Sequence, residues 1–327
     1  MKLLQALLAL GLLGGCQNGA ELGPGALKSA LQISDQRNPL QARLIKGWKR
    51  RDLIFEEVQF RGCNNQIVPA LLCYSEMGRF RPLPVVLCMP GTPNKKEDLL
   101  RPFDLIPRWA DQGFFVLSID RPYHGEREGD LENAISEKGL LKVWGESVCD
   151  LMRALDYVES RSEAAADRVG MLGLSMGGVE ALFIAALDSR VKVVVSVGGQ
   201  LSWEEVFREN AWEKIFGGLG LGRKLMRSGS GGEQALKAFR EAYPGLDQAD
   251  AARVAAKVAP KPLLLLSGEK DSHIPPAAAR KVYEVARRSY AAMGKEQHLK
   301  LWIEPDAGHN FPPDMEGRAL KWFKRWL

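Results

Sequence analysis

From about residue 83 onward, short apolar runs alternate with longer amphipathic stretches, and this alternation constrains the fold more than any other feature. The strand-like runs lie at 85–89, 114–119, 169–174, 191–197, 263–267 and 299–303. The helical stretches lie at 104–112, 140–161, 176–187, 276–293 and 314–327. Apolar strands separated by amphipathic helices predict an α/β fold, with a mostly parallel sheet covered by helices on both faces.

The segment before this alternation predicts two more strands. Runs at 53–60 and 67–74 flank a turn rich in Gly and Asn, which indicates an antiparallel hairpin and brings the sheet to eight strands. Residues 25–51 predict two helices, the second beginning after the cap Asn38. Four basic residues close that second helix: Lys46, Lys49, Arg50 and Arg51. We interpret them as a solvated helix end, with a contact to anionic lipid as the alternative.

One interval, residues 198–258, interrupts the alternation after the sixth predicted strand. It contains no clear strand, begins with Trp and Phe residues and continues with seven glycines between 217 and 232. Long connections in compact domains are usually functional. We therefore predict one α/β domain over 53–327 with a lid-like insertion at 198–258. Its aromatic residues either contact substrate or pack the insertion onto the sheet.

The N-terminus predicts export. Residues 1–15 combine Lys2 with an apolar run too short to span a bilayer, which is typical of a secretory signal. The sequence Leu-Gly-Gly before Cys16 resembles a bacterial lipobox, so Cys16 is the predicted lipidation site. Residues 17–52 would then form a tether and the N-terminal helices. We expect a protein anchored by lipid at a bacterial membrane, facing the periplasm or the outside. A plain signal peptide that happens to contain Cys is the alternative.

Composition excludes several classes of partner and cofactor. The chain has 45 Lys and Arg against 40 Asp and Glu, a net charge of +5 that is too small for a nucleic-acid-binding protein of 327 residues. Zinc-site spacings and a Walker-type phosphate loop are absent from the sequence. We therefore predict no metal and no cofactor. Beyond Cys16 there are four cysteines, an even number that permits disulfides in an oxidising compartment. We interpret Cys88, in an apolar strand, and Cys149, on a helix, as packed thiols, and the state of Cys63 and Cys73, which flank the predicted hairpin, stays open.

The strongest chemical signal is Gly173-Leu-Ser175-Met-Gly177, which lies between an apolar strand and a helix. A serine nucleophile must stand above the sheet on a sharp turn, and small flanking residues let the strand and the helix approach each other. The pattern is that of a G-x-S-x-G nucleophile elbow. The alternative is an ordinary Gly-rich turn. We predict Ser175 as the nucleophile.

A serine nucleophile needs a base, and the base needs a residue that orients it. His309 follows the last predicted strand and Asp271 follows the strand before it, so the order is Ser, Asp, His. This is the order of the α/β-hydrolase triad, and the carboxyl ends of parallel strands meet at one crevice. Other candidates remain for both roles: His124, His273 and His298 as the base, and Glu269 and Asp306 as the acid.

Two backbone amides are predicted to bind the oxyanion. One is that of Met176, directly after the nucleophile, and the other is that of Thr92, in the turn Pro90-Gly91-Thr92 after the third predicted strand. An ordinary turn is the alternative for Thr92. The polar cluster 120–127 either lines the mouth of the site or forms a loop whose charges pair with one another.

From about residue 58 onward, the chain resembles the α/β-hydrolase branch that contains dienelactone hydrolases, acetyl-xylan esterases and prolyl oligopeptidases. The matching segments are PVVLCMPGT, SIDRPYHGER, DRVGMLGLSMGG, the turn Tyr243-Pro244-Gly245, PKPLLLLSGEKD and AGHNF. The resemblance implies hydrolysis of acyl esters or amides with no cofactor. Dienelactone members use Cys as nucleophile, whereas position 175 is Ser. Oligopeptidases carry a propeller domain, for which this chain has no room.

These features together predict a serine hydrolase that cleaves carboxylic esters of small molecules through a Ser-His-Asp triad and an acyl-enzyme. A serine peptidase or amidase is the alternative within enzymes. A hydrolase-like binding protein without activity is the alternative outside them. The sequence leaves the acyl part, the alcohol part and the oligomeric state open.

Overall fold

A nine-stranded sheet organises the computed structural model, which describes residues 24–35 and 37–327. The order across the sheet is β1-β2-β3-β5-β4-β6-β7-β8-β9. Strands β1, β2, β3 and β5 pair antiparallel, and all pairs from β5 to β9 are parallel. The strands are β1 Arg43–Arg50, β2 Leu53–Arg61, β3 Ile67–Ser75, β4 Leu83–Met89, β5 Phe115–Ile119, β6 Ala164–Leu174, β7 Val191–Val197, β8 Leu263–Gly268 and β9 Leu299–Glu304.

Helices cover both faces of this sheet, so each face has its own apolar core. The helices α2 and α12 pack on one face, and most of the others pack on the opposite face. The helices are α1 Pro24–Ala30, α2 Leu105–Asp111, α3 Leu131–Lys138, α4 Leu140–Glu159, α5 Met176–Leu187, α6 Trp203–Arg208, α7 Trp212–Phe216, α8 Gly220–Arg227, α9 Gly232–Ala242, α10 Ala251–Val258, α11 Pro276–Ala292 and α12 Pro313–Trp326. Short 3-10 turns lie at Glu76–Arg79, Lys96–Leu99, Leu246–Ala249 and Glu296–His298.

The predicted α/β architecture is confirmed, and most element boundaries agree within a few residues. The helix predicted at 176–187 is α5 to the residue, and the predicted hairpin is the β2–β3 pair. The apolar strands are recognisable because β4 to β8 lie between two helical layers and are buried almost throughout. A strand buried on both faces needs apolar side chains in both directions, which produces continuous apolar runs.

The second N-terminal helix is a wrong prediction, because residues 43–50 form the edge strand β1. β1 pairs antiparallel with β2, and the Trp48 ring stacks on Phe55 with centroids 5.2 Å apart. Gly47 disfavours a helix, whereas Ile45 and Trp48 favour a strand once β2 offers a partner. The sheet therefore has nine strands rather than eight, and the domain begins before residue 53.

A disulfide joins Cys63, in the β2–β3 turn, to Cys149 in α4, with Cα atoms 5.8 Å apart. The interpretation of Cys149 as a packed thiol is therefore wrong, and Cys63, whose state the sequence left open, is its partner. Cys88 is a buried free thiol, as predicted, and so is Cys73, whose state the sequence left open. Burial raises the pKa of both above the ordinary cysteine value. The two halves of the disulfide lie 86 residues apart in sequence, and only the packing of the turn against α4 brings them together.

The insertion at 198–258 contains five helices, α6 to α10, and no strand. Its aromatic residues are buried and contact one another, so they pack the insertion onto the fold, and one of them, Phe216, also lines a cavity beside Ser175. Trp203, Phe207, Trp212 and Phe216 form this cluster together with Phe239.

Within 24–35 and 37–327, none of the helices has the length and apolarity needed to cross a bilayer. The predicted signal at 1–15, Cys16 and most of the predicted tether lie outside the described residues.

Candidate active site

Ser175 stands on the sharp turn between β6 and α5. Its φ of 53° and ψ of −118° lie outside the common backbone regions, and its amide donates to the carbonyl of Val197 at 2.7 Å. The glycines leave room for this turn. A Cβ on Gly173 would lie 1.9 Å from the carbonyl oxygen of Gly177, and a Cβ on Gly177 would lie 2.4 Å from that of Met89. The chain thus has the strand–turn–helix context that the elbow motif requires.

The structure brings the three predicted triad residues together. The Nε2 atom of His309 lies 2.7 Å from Ser175 Oγ, and its Nδ1 atom lies 2.7 Å from Asp271 Oδ2. The other carboxylate oxygen of Asp271 accepts bonds from the amides of His273 and Ile274, both at 2.9 Å. This buried carboxylate is therefore fixed in position, and it can hold the imidazole with Nε2 directed at the hydroxyl.

The competing acids point elsewhere. Glu269 pairs with Arg280 at 3.1 Å, and Asp306 pairs with Lys270 at 2.9 Å; all four side chains are exposed. His309 therefore has Asp271 as its carboxylate partner. The role of each triad residue in catalysis stays a prediction.

Two of the competing histidines contact backbone carbonyls rather than the serine hydroxyl. His124 Nδ1 lies 2.9 Å from the carbonyl of Pro122, and both burial and the charge of Arg121 lower its pKa. His298 lies just before β9, at the opposite end of that strand from the site, and contacts the carbonyl of Pro260 at 2.7 Å.

His273, the third competing candidate for the base, makes a contact that the sequence did not indicate. Its ring stacks on that of His309, with centroids 4.8 Å apart and planes inclined by 28°. Burial and the neighbouring His309 lower the pKa of His273. The position of His273, two residues after Asp271, indicated that it lies near the site. The loop sequence does not specify that its ring stacks on the ring of His309.

The two predicted oxyanion residues flank Ser175. Met176 is the first residue of α5, where amides have no acceptor within the helix. Thr92 lies in the loop after β4, and Gly91 brings this loop against the elbow, since a Cβ there would lie 2.9 Å from the Cβ of Ser175. Both residues are therefore placed where amides can face a substrate carbonyl; their role as donors stays a prediction.

Arg121 bonds to the loop after β4, which contains Thr92, and also contacts α5, the helix that follows Ser175. Its guanidinium donates to Thr92 Oγ1 at 3.0 Å and to the carbonyl of Pro90, and it lies 3.1 Å from a carboxylate oxygen of Glu180 in α5. Arg121 and Glu180 are buried, whereas Thr92 is exposed. The charged residues of 120–127 pair with groups outside that segment rather than with one another: Asp120 and Glu126 with Lys96, Arg121 with Glu180, and Arg127 with Asp150. The interpretation as a loop of mutually paired charges is therefore wrong, and Arg121 and His124 line a cavity beside Ser175.

Two cavities of about 320 Å³ each meet at Ser175 and His309. The first lies between α3, α4 and the insertion, and most of its wall is aliphatic or aromatic, including Ile135, Val143 and Phe216. The second lies towards α2 and α12. Polar side chains of Asn94 and Asn310 line it beside aromatic ones. A substrate that spans Ser175 can therefore place one part on each side of the hydroxyl.

Two groups of side chains have a composition that suits a metal ion. Asp271, His273 and His309 have ligand atoms within 4.8 Å of one another, but two of them already form the chain of bonds to Ser175. In the other group, Glu97, Asp120 and Glu126, the ammonium of Lys96 contacts all three carboxylates. A cation of the protein itself thus occupies the second group.

Comparison with known proteins agrees with this architecture. The model of the prolyl oligopeptidase family matches residues 103–327. The protein YtaP of Bacillus subtilis (strain 168), named as a hydrolase, is 28% identical over 242 residues, which are 71% of this chain and 73% of YtaP. YitV of the same organism, named as an esterase, is 23% identical over 273 residues, which are 80% of this chain and 96% of YitV.

Solved structures show the same fold. Acetyl xylan esterase from Paenibacillus sp. R4 superposes with a TM-score of 0.69 at 21% identity, covering 95% of this chain and 96% of that one. Acetyl xylan esterase 1 from Thermoanaerobacterium sp. JW/SL YS485 gives 0.66 at 17% identity, covering 92% of each chain. The protein has the α/β-hydrolase fold, and the chain belongs to the prolyl oligopeptidase family of hydrolases.

Proposed function

We propose that the protein is a serine hydrolase that cleaves carboxylic esters of small molecules through an acyl-enzyme. The observation that carries this proposal is the imidazole of His309, which lies 2.7 Å from both Ser175 Oγ and Asp271 Oδ2. These distances allow a proton to move from the hydroxyl to the ring while the carboxylate stabilises the resulting imidazolium.

In the first half of the reaction, Ser175 Oγ attacks the ester carbonyl and its proton moves to His309 Nε2. The oxyanion that forms accepts hydrogen bonds from the amides of Met176 and Thr92. When this intermediate collapses, the bond to the alcohol oxygen breaks, and His309 gives its proton to the departing alkoxide. Ser175 then carries the acyl group.

Water completes the second half. His309 takes a proton from a water molecule, whose oxygen attacks the acyl carbon. The bond to Ser175 Oγ breaks, the serine oxygen regains its proton from His309, and the carboxylic acid leaves. We assign the acyl group to the first cavity because its walls are mainly apolar, and the alcohol to the second.

We favour ester over amide substrates because YitV is named as an esterase and the two solved structures compared above are acetyl xylan esterases. The name of the matching family supports the alternative, a serine peptidase or amidase. The two are separated by comparing kcat/KM for p-nitrophenyl acetate with that for a peptide anilide. An anilide rate above the ester rate would favour the peptidase.

A fluorophosphonate probe tests the enzymatic proposal against a binding protein without activity. We expect the wild-type protein to be labelled and Ser175→Ala to remain unlabelled. The control is Ser272→Ala, an exposed serine on the loop of Asp271, which should label as wild type. A wild-type protein that neither labels nor hydrolyses any ester would contradict the proposal.

We further propose that the protein is exported and anchored by lipid at Cys16. The disulfide between Cys63 and Cys149 supports export, because disulfides form and persist in oxidising compartments. The sequence before Cys16 supports the anchor.

A further inference from the structure

The exposed edge of the sheet carries an unusual surface, which we call the basic strip and define as residues 43–51 and 77–81. β1 is the outermost strand and has β2 as its sheet neighbour. Large apolar side chains stand in solvent along the strip: Leu44 is 61% exposed, Ile45 49%, Met77 49% and Phe80 82%. These four are half of the large apolar side chains exposed in the described part of the chain.

The two segments of the strip join at the end of β1. The amide of Glu76 donates to the carbonyl of Asp52 at 2.9 Å, directly after the strip residue Arg51. Lys49 Nζ lies 2.7 Å from Glu76 Oε1, so the 3-10 turn that begins at Glu76 lies beside β1. At ~3.3 Å per residue, β1 alone extends the strip over roughly 25 Å.

Cationic side chains surround these apolar ones. The strip contains seven, all exposed: Arg43, Lys46, Lys49, Arg50, Arg51, Arg79 and Arg81. Lys49 makes an ion pair, with Glu76; among the described residues no ion pair is found for the other six. Five acids lie beside the strip: Asp52, Glu56, Glu57, Glu76 and Glu163. Glu57 lies opposite Lys46 and Glu56 opposite Gly47 in the β1–β2 register, and the side chain of Glu163 approaches Gly78. Glu56 and Glu163 already pair with Arg161, which lies outside the strip. The positive charge of the strip is thus largely uncompensated.

We propose that the basic strip docks on the surface of an anionic phospholipid bilayer. Exposed Leu, Ile, Met and Phe side chains gain by entering the boundary between headgroups and acyl chains. Arg and Lys beside them are attracted by acidic headgroups. The strip unites both features on one edge of the fold, where the sequence alone suggested the end of a solvated helix.

A second copy of the chain is the competing occupant, because an edge strand can pair with another edge strand. Two basic strips placed edge to edge would bring like charges together, and charged side chains on an edge strand are a common means of preventing such pairing. An anionic surface matches the charge instead. The proposal is independent of the catalytic one, since no residue of the strip lines either cavity at Ser175.

Vesicle co-sedimentation tests the proposal with the full chain carrying Cys16→Ser, so that no acyl group contributes. Residues 1–15 are common to all variants, and their contribution cancels in the comparison. We expect at least tenfold tighter binding to vesicles of phosphatidylethanolamine and phosphatidylglycerol than to phosphatidylcholine, and we expect 1 M salt to weaken it. Arg50→Glu with Arg51→Glu should reduce affinity for the anionic vesicles more than about tenfold. Phe80→Ser should also reduce it.

The matched control is Arg287→Glu with Arg288→Glu, which makes the same change of charge on exposed positions of α11. This control should bind as the parent does. Equal losses in both double variants would overturn the proposal, because net charge alone would then explain binding. Equal affinity for both kinds of vesicle would also overturn it, as would a dimer in sedimentation velocity that Leu44→Lys converts to monomer.

Discussion

Asp271 and Glu269 lie two residues apart on the loop after β8, yet their surroundings differ. Asp271 is buried and bonded to His309, whereas Glu269 is exposed and paired with Arg280. We expect Asp271→Asn to lower kcat by about four orders of magnitude, less than the roughly six of Ser175→Ala, because the imidazole remains but loses its orienting acid. Steady-state kinetics on a p-nitrophenyl ester measure both.

Glu269→Gln is the matched control for that prediction, since it removes one carboxylate from the same loop. Its kcat should stay within about twofold of the wild type, because exposed ion pairs contribute little. A nearly inactive Glu269→Gln beside a nearly normal Asp271→Asn would reverse the assignment of the acid.

Among the glycines of the elbow, Gly173 leaves the least room for a side chain. Gly173→Ala would place a Cβ 1.9 Å from the backbone carbonyl of Gly177, which cannot give way without moving α5. We expect the free energy of unfolding to fall by about 2 kcal/mol or more, together with a loss of activity, because the turn that presents Ser175 shifts. Urea denaturation of wild type and variant measures the first effect.

Gly317→Ala, in α12, is the control for this element. A Cβ there meets nothing within 4 Å, so alanine should raise helix stability by about 0.5–1 kcal/mol. If both substitutions changed the unfolding free energy by similar amounts, the close approach at the elbow would not be the cause.

The insertion shapes the cavity that we assign to the acyl group. Leu219, which follows α7, lines this cavity, and Leu219→Trp should fill part of it. We expect kcat/KM for p-nitrophenyl octanoate to fall at least tenfold relative to that for the acetate. Bulky side chains such as Trp144 and Phe216 bound this cavity of about 320 Å³, so the wild-type protein should prefer acetate and butyrate to palmitate.

Met226→Trp tests whether any added bulk in the insertion has this effect. Met226 lies in α8, is exposed and does not line the cavity, so its substitution should leave the octanoate-to-acetate ratio unchanged. Equal losses on both esters in Leu219→Trp would place the acyl group elsewhere.

The disulfide between Cys63 and Cys149 fastens the β2–β3 turn to α4 and closes a loop whose ends lie 86 residues apart. Replacing both residues with Ala should lower the free energy of unfolding by roughly 2–5 kcal/mol, because the unfolded chain regains the freedom that the crosslink removes. Dithiothreitol should lower the denaturation midpoint of the wild type and leave that of the double variant unchanged. A wild-type midpoint that does not respond to reduction would contradict this expectation.

Elements that are specified by the sequence pattern of their own segment were predictable. Features that depend on contacts with residues far away in the sequence were not. Ser175, Asp271 and His309 each follow an apolar strand, so their position at the carboxyl edge of the sheet follows from the pattern. Residues 43–50 mix basic and apolar side chains without a clear strand pattern, and they form β1 by pairing with β2. The partner of Cys149 and the ring that stacks on His309 are fixed by tertiary packing, which local spacing does not encode.

At the scale of the whole molecule, the sheet separates the candidate site from the basic strip. The site forms where β4, β6, β8 and β9 end, on the parallel part of the sheet. The strip lies on β1 and beside it, at the antiparallel edge. A membrane contact at that edge therefore leaves the loops around Ser175 free of any role in docking.

The predicted anchor at Cys16 gives the last expectation, which concerns where the whole protein resides. A bacterial host that expresses the full chain should incorporate labelled palmitate into the wild type and not into Cys16→Ser. The wild type should remain with membranes after a wash in 1 M salt, because acyl chains are not released by screening of charge. Cys16→Ser should either remain unprocessed or retain only the salt-sensitive attachment of the basic strip.

Asn18→Ser, a neutral change in the predicted tether, should behave as wild type. Palmitate incorporation that persists in Cys16→Ser would contradict the assignment of this cysteine, and membrane binding that is equally resistant to salt in both proteins would show that lipid at Cys16 is not what holds the protein there.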